Sequence, residues 1–244
     1  MEEKLYDQED KEFKDFWWHH GRKKLFIKNL KKFTKLDSKI LEIGSSTGNY
    51  FSYIKKKGFV NLHGIENNKY ALKRCRRKGL KSIIKGSATK IPFKKNTLDF
   101  VLATDVIEHI KDDKLAIKEI HRVLKPGHHA LITVPAFNFF WSKHDIKSHH
   151  KRRYTKNTLK ELIKPFNFSL CKIFYFNYLL AIPIILVRFF LKCFKIDLKS
   201  ENEFNNWFIN KILKIIFTID IKASYYLNPP FGFSIFLLIK KKLD

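Results

Sequence analysis

Ile40-Leu41-Glu42-Ile43-Gly44-Ser45-Ser46-Thr47-Gly48-Asn49 is the stretch on which the reading of this chain turns. A short apolar run, Lys39 to Ile43, has the composition of a buried strand and stops at a glycine. Gly44 lets the backbone turn tightly and lets a ligand approach it closely. Tyr50 to Lys57 then reads as a helix ended by Gly58, so the turn delivers free helix N–H groups towards a polar or anionic ligand. The spacing is Glu-x-Gly-x-x-x-Gly. It is neither the G-x-G-x-x-G of a dinucleotide fold nor a Walker loop, which needs Gly-Lys-Ser/Thr.

Working outward, the same alternation repeats. Strands are expected at 61–65, 81–85, 97–103 and 129–134, and helices at 69–77 and 112–124, the last stopped by Lys125-Pro126-Gly127. One helix, Glu12 to Phe33, is expected ahead of the first strand. After the fifth strand come a helix at 159–162, a strand at 169–176 and a final strand at 233–239. Strand–helix alternation specifies an α/β, doubly wound, Rossmann-like sheet of seven strands with helices on both faces. The expected organisation is a core over 1–176, an apolar helical insert over 177–230 and a return to the core over 231–244.

The second strand ends at Gly64-Ile65-Glu66, which puts an acid beside the first turn. A carboxylate there accepts hydrogen bonds from both hydroxyls of a ribose.

These residues carry a resemblance. From about Trp17 to Phe176 the chain resembles the type 11 group of class I S-adenosylmethionine-dependent methyltransferases. Glu42 to Gly48 resembles the first motif of that group and Gly64-Ile65-Glu66 the second. Gly86-Ser87-Ala88 with Ile91-Pro92-Phe93 resembles the adenine-side motif. Leu98-Asp99-Phe100-Val101 with Asp105-Val106-Ile107-Glu108-His109 resembles the fourth strand and its loop, and Arg122 to Gly127 the turn before the fifth. The resemblance implies S-adenosylmethionine as cofactor, held by Glu42, Gly44, Ser45, Gly48, Glu66, Asn67, Ser87, Ala88 and Asp105, with Arg22 pairing the cofactor's carboxylate. Two positions depart from the pattern. Ser87 stands where the group has Asp, which weakens the hold on the adenine amine, and His128 replaces a glycine of largely structural use.

Beyond the fifth strand, Trp141-Ser142-Lys143-His144-Asp145 and His150-Lys151-Arg152-Arg153-Tyr154 resemble a narrower subgroup, as does the opening Trp17-Trp18-His19-His20-Gly21-Arg22. That resemblance implies an acceptor among lipid-linked glycans or cell-surface polysaccharides. Chemically, the segment follows the carboxyl end of a strand, where open α/β sheets bind ligands. His144 or His150 is a candidate general base on an acceptor hydroxyl, because imidazole titrates near neutral pH. Asp145 is placed to orient a histidine, and Arg152 and Arg153 to clamp a phosphate or carboxylate. Tyr154 completes the candidate set. Methyl transfer needs little acid–base help, since the sulfonium is a strong electrophile and positioning supplies much of the rate.

Composition bounds the rest. The formal charge of +26 at 244 residues is almost all lysine, which fits either an anionic partner or a bias towards A- and T-rich codons. The three cysteines are widely spaced, so neither a disulfide framework nor a zinc site is expected, and His149-His150 alone makes no metal site. The acidic N-terminus does not read as a signal peptide. The apolar run Tyr178 to Val187 carries Pro183 and is followed by Arg188. It falls short of the ~20 residues a spanning helix needs. Glu203 to Ile219 reads as an interfacial helix, with Phe204, Trp207, Phe208, Ile212, Ile215, Ile216 and Ile219 on one face. In this topology the insert should stand over the ligand mouth.

The expected protein is therefore a cytoplasmic, peripherally membrane-associated methyltransferase that O-methylates an amphiphilic or lipid-linked acceptor, with anionic lipid as its surface partner. A small-molecule or quinone-type lipid enzyme, a nucleic-acid methyltransferase and a non-catalytic membrane scaffold are the alternatives. Asn228-Pro229-Pro230-Phe231 resembles a base-methylation motif. It lies before the last strand instead of after the fourth, and reads as a turn.

Overall fold

In the computed structural model, which describes residues 3–186 and 206–243, the centre of the sheet is the stretch that opens the reading above. β1 (Ile40–Ile43) is buried at all four positions, flanked on one side by β2 (Leu62–Glu66) and on the other by β4 (Leu98–Thr104), both parallel to it. β3 (Ile83–Lys85) lies outside β2. β5 (Leu124–Pro135) lies outside β4, and β7 (Ser234–Lys241) runs antiparallel between β5 and β6 (Phe168–Phe176). The order is β3-β2-β1-β4-β5-β7-β6, a seven-stranded sheet with its order reversing between β1 and β4. Ligands of open α/β sheets sit at such a reversal, beyond the carboxyl ends of the strands.

Helices pack on both faces of the sheet. α3 (Asn49–Lys56), α4 (Lys69–Arg77), α5 (Asp113–Val123) and α7 (Lys156–Ile163) lie within a few residues of their expected positions. A five-residue helix, α6 (Lys143–Lys147), was not anticipated. β5 starts earlier than expected, because Leu124 pairs with Leu98 before the Pro126-Gly127 turn, with a register shift before Phe100.

The helix expected over Glu12–Phe33 begins later, at Trp17, and a separate helix precedes it. α1 (Glu3–Glu12) ends in a turn, and α2 (Trp17–Phe33) starts afresh from Phe16 in an extended conformation with no side-chain cap. An N-cap without Ser, Thr, Asp or Asn gives no start signal in sequence, and Phe13 and Phe16 continue the apolar period across the break.

After β6, residues 181–186 are helical and α8 (Trp207–Leu227) follows in the described chain. Arg188, Cys193 and Phe204 lie outside the described residues, as do the end of the apolar run and the start of the second helix. α8 packs on α2 and β6 through Phe217, Ile221 and Ser224. The contact is close because Gly21 has no side chain: a Cβ there would stand 2.5 Å from Phe217 Cδ1. Asp220, fully buried, accepts the backbone N–H groups of Asn177, Tyr178 and Leu179 at 2.6–2.7 Å and pins the chain leaving β6 to α8.

The face of α8 carrying Trp207, Phe208, Ile212, Ile215 and Ile219 points outward, with Trp207 76% exposed. α8 therefore lies along the side of the sheet, with only its first turns reaching the α1–α2 junction, where Asn210 bonds Trp17 N and Asp15 O. Asn228 is its left-handed C-cap, so Asn228 to Phe231 is the exit turn of a helix. Among the described residues no helix is long and apolar enough to cross a membrane.

Candidate active site

One cavity of about 1610 Å³ spans the carboxyl edge of the sheet. Its cofactor end is built by β1 and β2. Gly44 has φ +67, and a Cβ there would sit 2.5 Å from Val106 Cγ2, so both conformation and space demand glycine. Ser46 N donates to Glu66 Oε2 at 2.8 Å, while Asn67 N and Asn68 N donate to Oε1 at 2.9 and 2.8 Å. The acid at the end of β2 is thus locked to the first turn and to the start of α4. Burial raises its pKa, against the pull of those three N–H groups. Glu42, Gly44, Ser45, Glu66, Asn67, Ser87 and Ala88 line the cavity. Gly48 does not. It caps α3 in a left-handed conformation, packed towards Leu80.

Arg22 and Asp105 line the cavity as an ion pair. The Arg22 guanidinium also donates to Thr133 Oγ1 at 2.9 Å and stacks 5.0 Å over the Trp18 ring. Burial opposes its charge, but Asp105 more than restores it. Asp105 itself has φ +55. Arg22 is therefore already held by an acid; its buried Nε has no hydrogen-bond partner among the described residues.

The sequence reading missed α1. Tyr6 and Glu9 of this helix line the cavity, and Ser46 Oγ donates to Glu9 Oε2 at 2.8 Å. Asp10 is fastened to Arg74 and Lys78 and to the side chains of Thr47 and Asn49, and Asp7 to Arg74. The helix lies across the cofactor turn by acid–base contacts that bridge some 60 residues of chain, a relation no local pattern contains. Burial pushes Glu9 up to about 7 and Glu42 up to about 8.

At the other end, Asp145 is fully buried and receives two bonds from Arg153, Nε to Oδ1 and Nη2 to Oδ2, each 2.8 Å. His150 Nδ1 lies 2.8 Å from Asp145 Oδ1, and Ser142 N closes the set at 2.7 Å. Burial alone would raise the Asp145 carboxyl; His150 and Arg153 overcome that and hold it below the usual carboxylate range. His150 Nε2 then faces Glu108 Oε1 at 4.0 Å. His109 Nε2 faces the same oxygen at 3.9 Å. Neither Glu108 oxygen has a hydrogen-bond partner among the described residues, and the side chain is fully buried. Burial, then the nearby Asp105, raises its pKa well above the ordinary value. Burial and His150 push His109 down to about 3.

Of the other predicted residues, His144 lines the cavity, its Nε2 3.3 Å from Ser148 Oγ. Tyr154 lies outside it, donating to Asp113 Oδ2 at 2.8 Å. Arg152 pairs with the same Asp113, at 2.8 Å. Arg152 and Arg153 thus go to different acids, and no two-arginine clamp forms. Glu108 and His109 were quoted for their resemblance to a strand-and-loop motif and were not proposed as site residues. Only the fold brings them to His150.

With this geometry in place, residues 41–132 match the family model described as "Methyltransferase domain". The ubiquinone/menaquinone biosynthesis C-methyltransferase of Wigglesworthia glossinidia brevipalpis is 33% identical over 129 residues, covering 47% of this chain and 51% of that protein. Sterol 24-C-methyltransferase of Schizosaccharomyces pombe is 33% identical over 100 residues, covering 38% of this chain and 26% of that one. The chain thus spans about half the length, or less, of these curated relatives. Among solved structures, phosphoethanolamine N-methyltransferase 2 of Haemonchus contortus, in complex with phosphomonomethylethanolamine and S-adenosylhomocysteine, superposes with a TM-score of 0.58. It is 18% identical and covers 89% of this chain and 52% of that one, a likeness of fold. The glycine turn and Glu66 are the residues whose chemistry suits the ribose and polar groups of S-adenosylmethionine.

Proposed function

We propose that this protein transfers the methyl group of S-adenosylmethionine to a hydroxyl of an amphiphilic or lipid-linked acceptor, working on the surface of an anionic membrane. The observation that carries this reading is the continuity of one cavity from the Gly44 turn to His150. The donor binds on the turn, with its ribose at Glu66 and its adenine beside Ser87 and Ala88. The acceptor occupies the end walled by Glu108, His109 and His150. The hydroxyl is activated at His150, which touches it, and Asp145 is a positioning residue that fixes the ring through Nδ1.

The apolar half of the acceptor finds its match at the rim. Ile184 and Phe233 line the cavity. Phe139, Ile146, Ile182 and Leu186 stand exposed on the segments that supply lining residues, Phe139 at 85%. An exposed apolar rim on a lysine-rich chain suits insertion at an anionic bilayer, where each nearby lysine adds about 1 kcal/mol. The sterol and quinone enzymes among the relatives support a lipid-like acceptor and favour a second reading, transfer to carbon. Incubation with methyl-labelled S-adenosylmethionine and vesicles loaded with polyprenyl-phosphate glycans, quinols or sterols tests these readings. Label on a glycan or other hydroxyl is the expected result. Label on a ring or side-chain carbon would replace the hydroxyl by the second reading. Steeply salt-dependent labelling of RNA or DNA would overturn both.

A further inference from the structure

The acceptor end of the cavity contains more chemistry than an imidazole base needs. Glu108 is a fully buried carboxylate with neither oxygen hydrogen-bonded among the described residues. A buried acid in that condition either keeps its proton or meets a cation. Two imidazole nitrogens face it, His109 Nε2 at 3.9 Å and His150 Nε2 at 4.0 Å from Oε1, and the three atoms lie within 4.8 Å of one another. The His150 ring is held from behind, Asp145 taking its Nδ1 at 2.8 Å, and the backbone of Ser148 and His149 lies beside the His109 ring. A carboxylate behind a ligating histidine is the usual support of a metal-bound imidazole, because it fixes the tautomer and leaves Nε2 with its lone pair forward.

We infer that Glu108, His109 and His150 bind one divalent transition-metal ion, as two imidazole nitrogens and one carboxylate oxygen on a single side of the ion. Such a donor set suits zinc or iron(II) and leaves the remaining positions open to the cavity. Metal–ligand bonds of about 2.0–2.2 Å require the three atoms to close by roughly half an ångström each, a movement within reach of the Glu108 carboxylate.

The proposal rests on the reading that this end of the cavity receives the acceptor. With the ion in place, the activation assigned to His150 is exerted through the metal. The acceptor oxygen binds the ion and its proton passes to solvent. The oxygen lone pair forms the new O–C bond as the C–S bond of the donor breaks, and the electron pair of that bond stays on sulfur, giving S-adenosylhomocysteine. No electron is exchanged with the metal.

In sequence no ligand cluster has convincing spacing and His149-His150 alone is weak, so no metal was expected; residues 108–109 and 150 lie far apart along the chain. The strand β4 exit and the loop after α6 close that distance.

The test is direct binding to the full chain, stripped with chelator and titrated calorimetrically with Zn²⁺, and with Co²⁺ followed by its d–d absorption. The expected result is one ion per chain, with binding weakened at least ~10-fold in Glu108→Gln and in His109→Ala. It should be unchanged in His128→Ala, a histidine near Asp99 and away from the cavity. Gly44→Arg should keep the ion while losing S-adenosylmethionine, so failure of the metal site and failure of the methyltransferase reading give different patterns. A folded wild-type chain that binds neither ion below about 0.1 mM would overturn the proposal, as would equal binding by wild type, Glu108→Gln and His109→Ala.

Discussion

The two ends of the cavity are built on different plans. The cofactor end is written in a few short runs of sequence, 42–48, 64–67 and 86–88, each of which folds locally into the turn it needs. Its critical groups are glycines, backbone N–H donors and the Glu66 carboxylate those donors hold, set by φ and by the strand-to-helix turn. The acceptor end is assembled from the exit of β4 and from the segment around α6. Its critical groups are side chains, and the His150 ring depends on a chain of side-chain contacts, His150 on Asp145 and Asp145 on Arg153. Backbone-built sites tolerate change in what surrounds them. Side-chain-built sites depend on every link.

The largest contrast should come from Asp145→Asn. It breaks a buried pair and leaves Arg153 without its acid, for a cost of about 3–5 kcal/mol in unfolding free energy. Turnover of the surviving folded protein should fall by roughly 10²-fold or more, with the calorimetric affinity for S-adenosylmethionine unchanged. A loss of cofactor affinity equal to the loss of turnover would erase the distinction between the two ends.

Asp220→Ala comes next. It strands three backbone N–H groups at the end of β6 and should destabilise the chain by about 2–3 kcal/mol in chemical denaturation, while leaving S-adenosylmethionine affinity near wild type.

The cofactor end has a pH signature of its own. Burial holds Glu42 at about 8 from an ordinary 4.5, with Glu9 and Glu66 adding to the rise and Ser45 opposing it. A carboxyl with a raised folded pKa keeps its proton longer in the folded chain. Its contribution is full below the unfolded value and is lost as pH rises towards the folded one, by at most about 1.4 kcal/mol per unit. Denaturation midpoints should therefore fall between pH 5 and 8, and Glu42→Gln should flatten that slope.

The smallest effect belongs to Tyr154→Phe. The hydroxyl bonds Asp113 outside the cavity, so the expected loss is about 1 kcal/mol of stability with turnover intact. A large loss of turnover would return Tyr154 to the catalytic set, where the sequence reading had placed it.

How much was legible in the sequence follows the same division. The parallel strands were readable because short, largely apolar stretches alternate with helical segments and end at turn residues, and the order of the motifs placed the cofactor turn, Glu66 and the Ser87–Ala88 corner. α1 was not readable. It is a polar, acidic helix whose purpose lies in contacts with Arg74, Lys78 and Ser46. The apolar face of α8 was legible and stands exposed, whereas its packed side, which uses Gly21 of α2 and a buried aspartate, has no local signature. Glu108 and His109 lay in a quoted motif, yet nothing local marks an acid as buried without a partner. Asp145 and His150 were singled out by type, and the fold joins them at 2.8 Å. Tyr154 had the same neighbourhood in sequence and points elsewhere.

The most direct test of the central claim is calorimetric titration of S-adenosylmethionine into the wild-type chain and into Gly44→Arg, with circular dichroism showing both folded. The account predicts one site in the wild type and none in the variant, because Gly44 has both a positive φ and Val106 against its missing side chain. Absence of binding by the folded wild type, or equal binding by both, would contradict it.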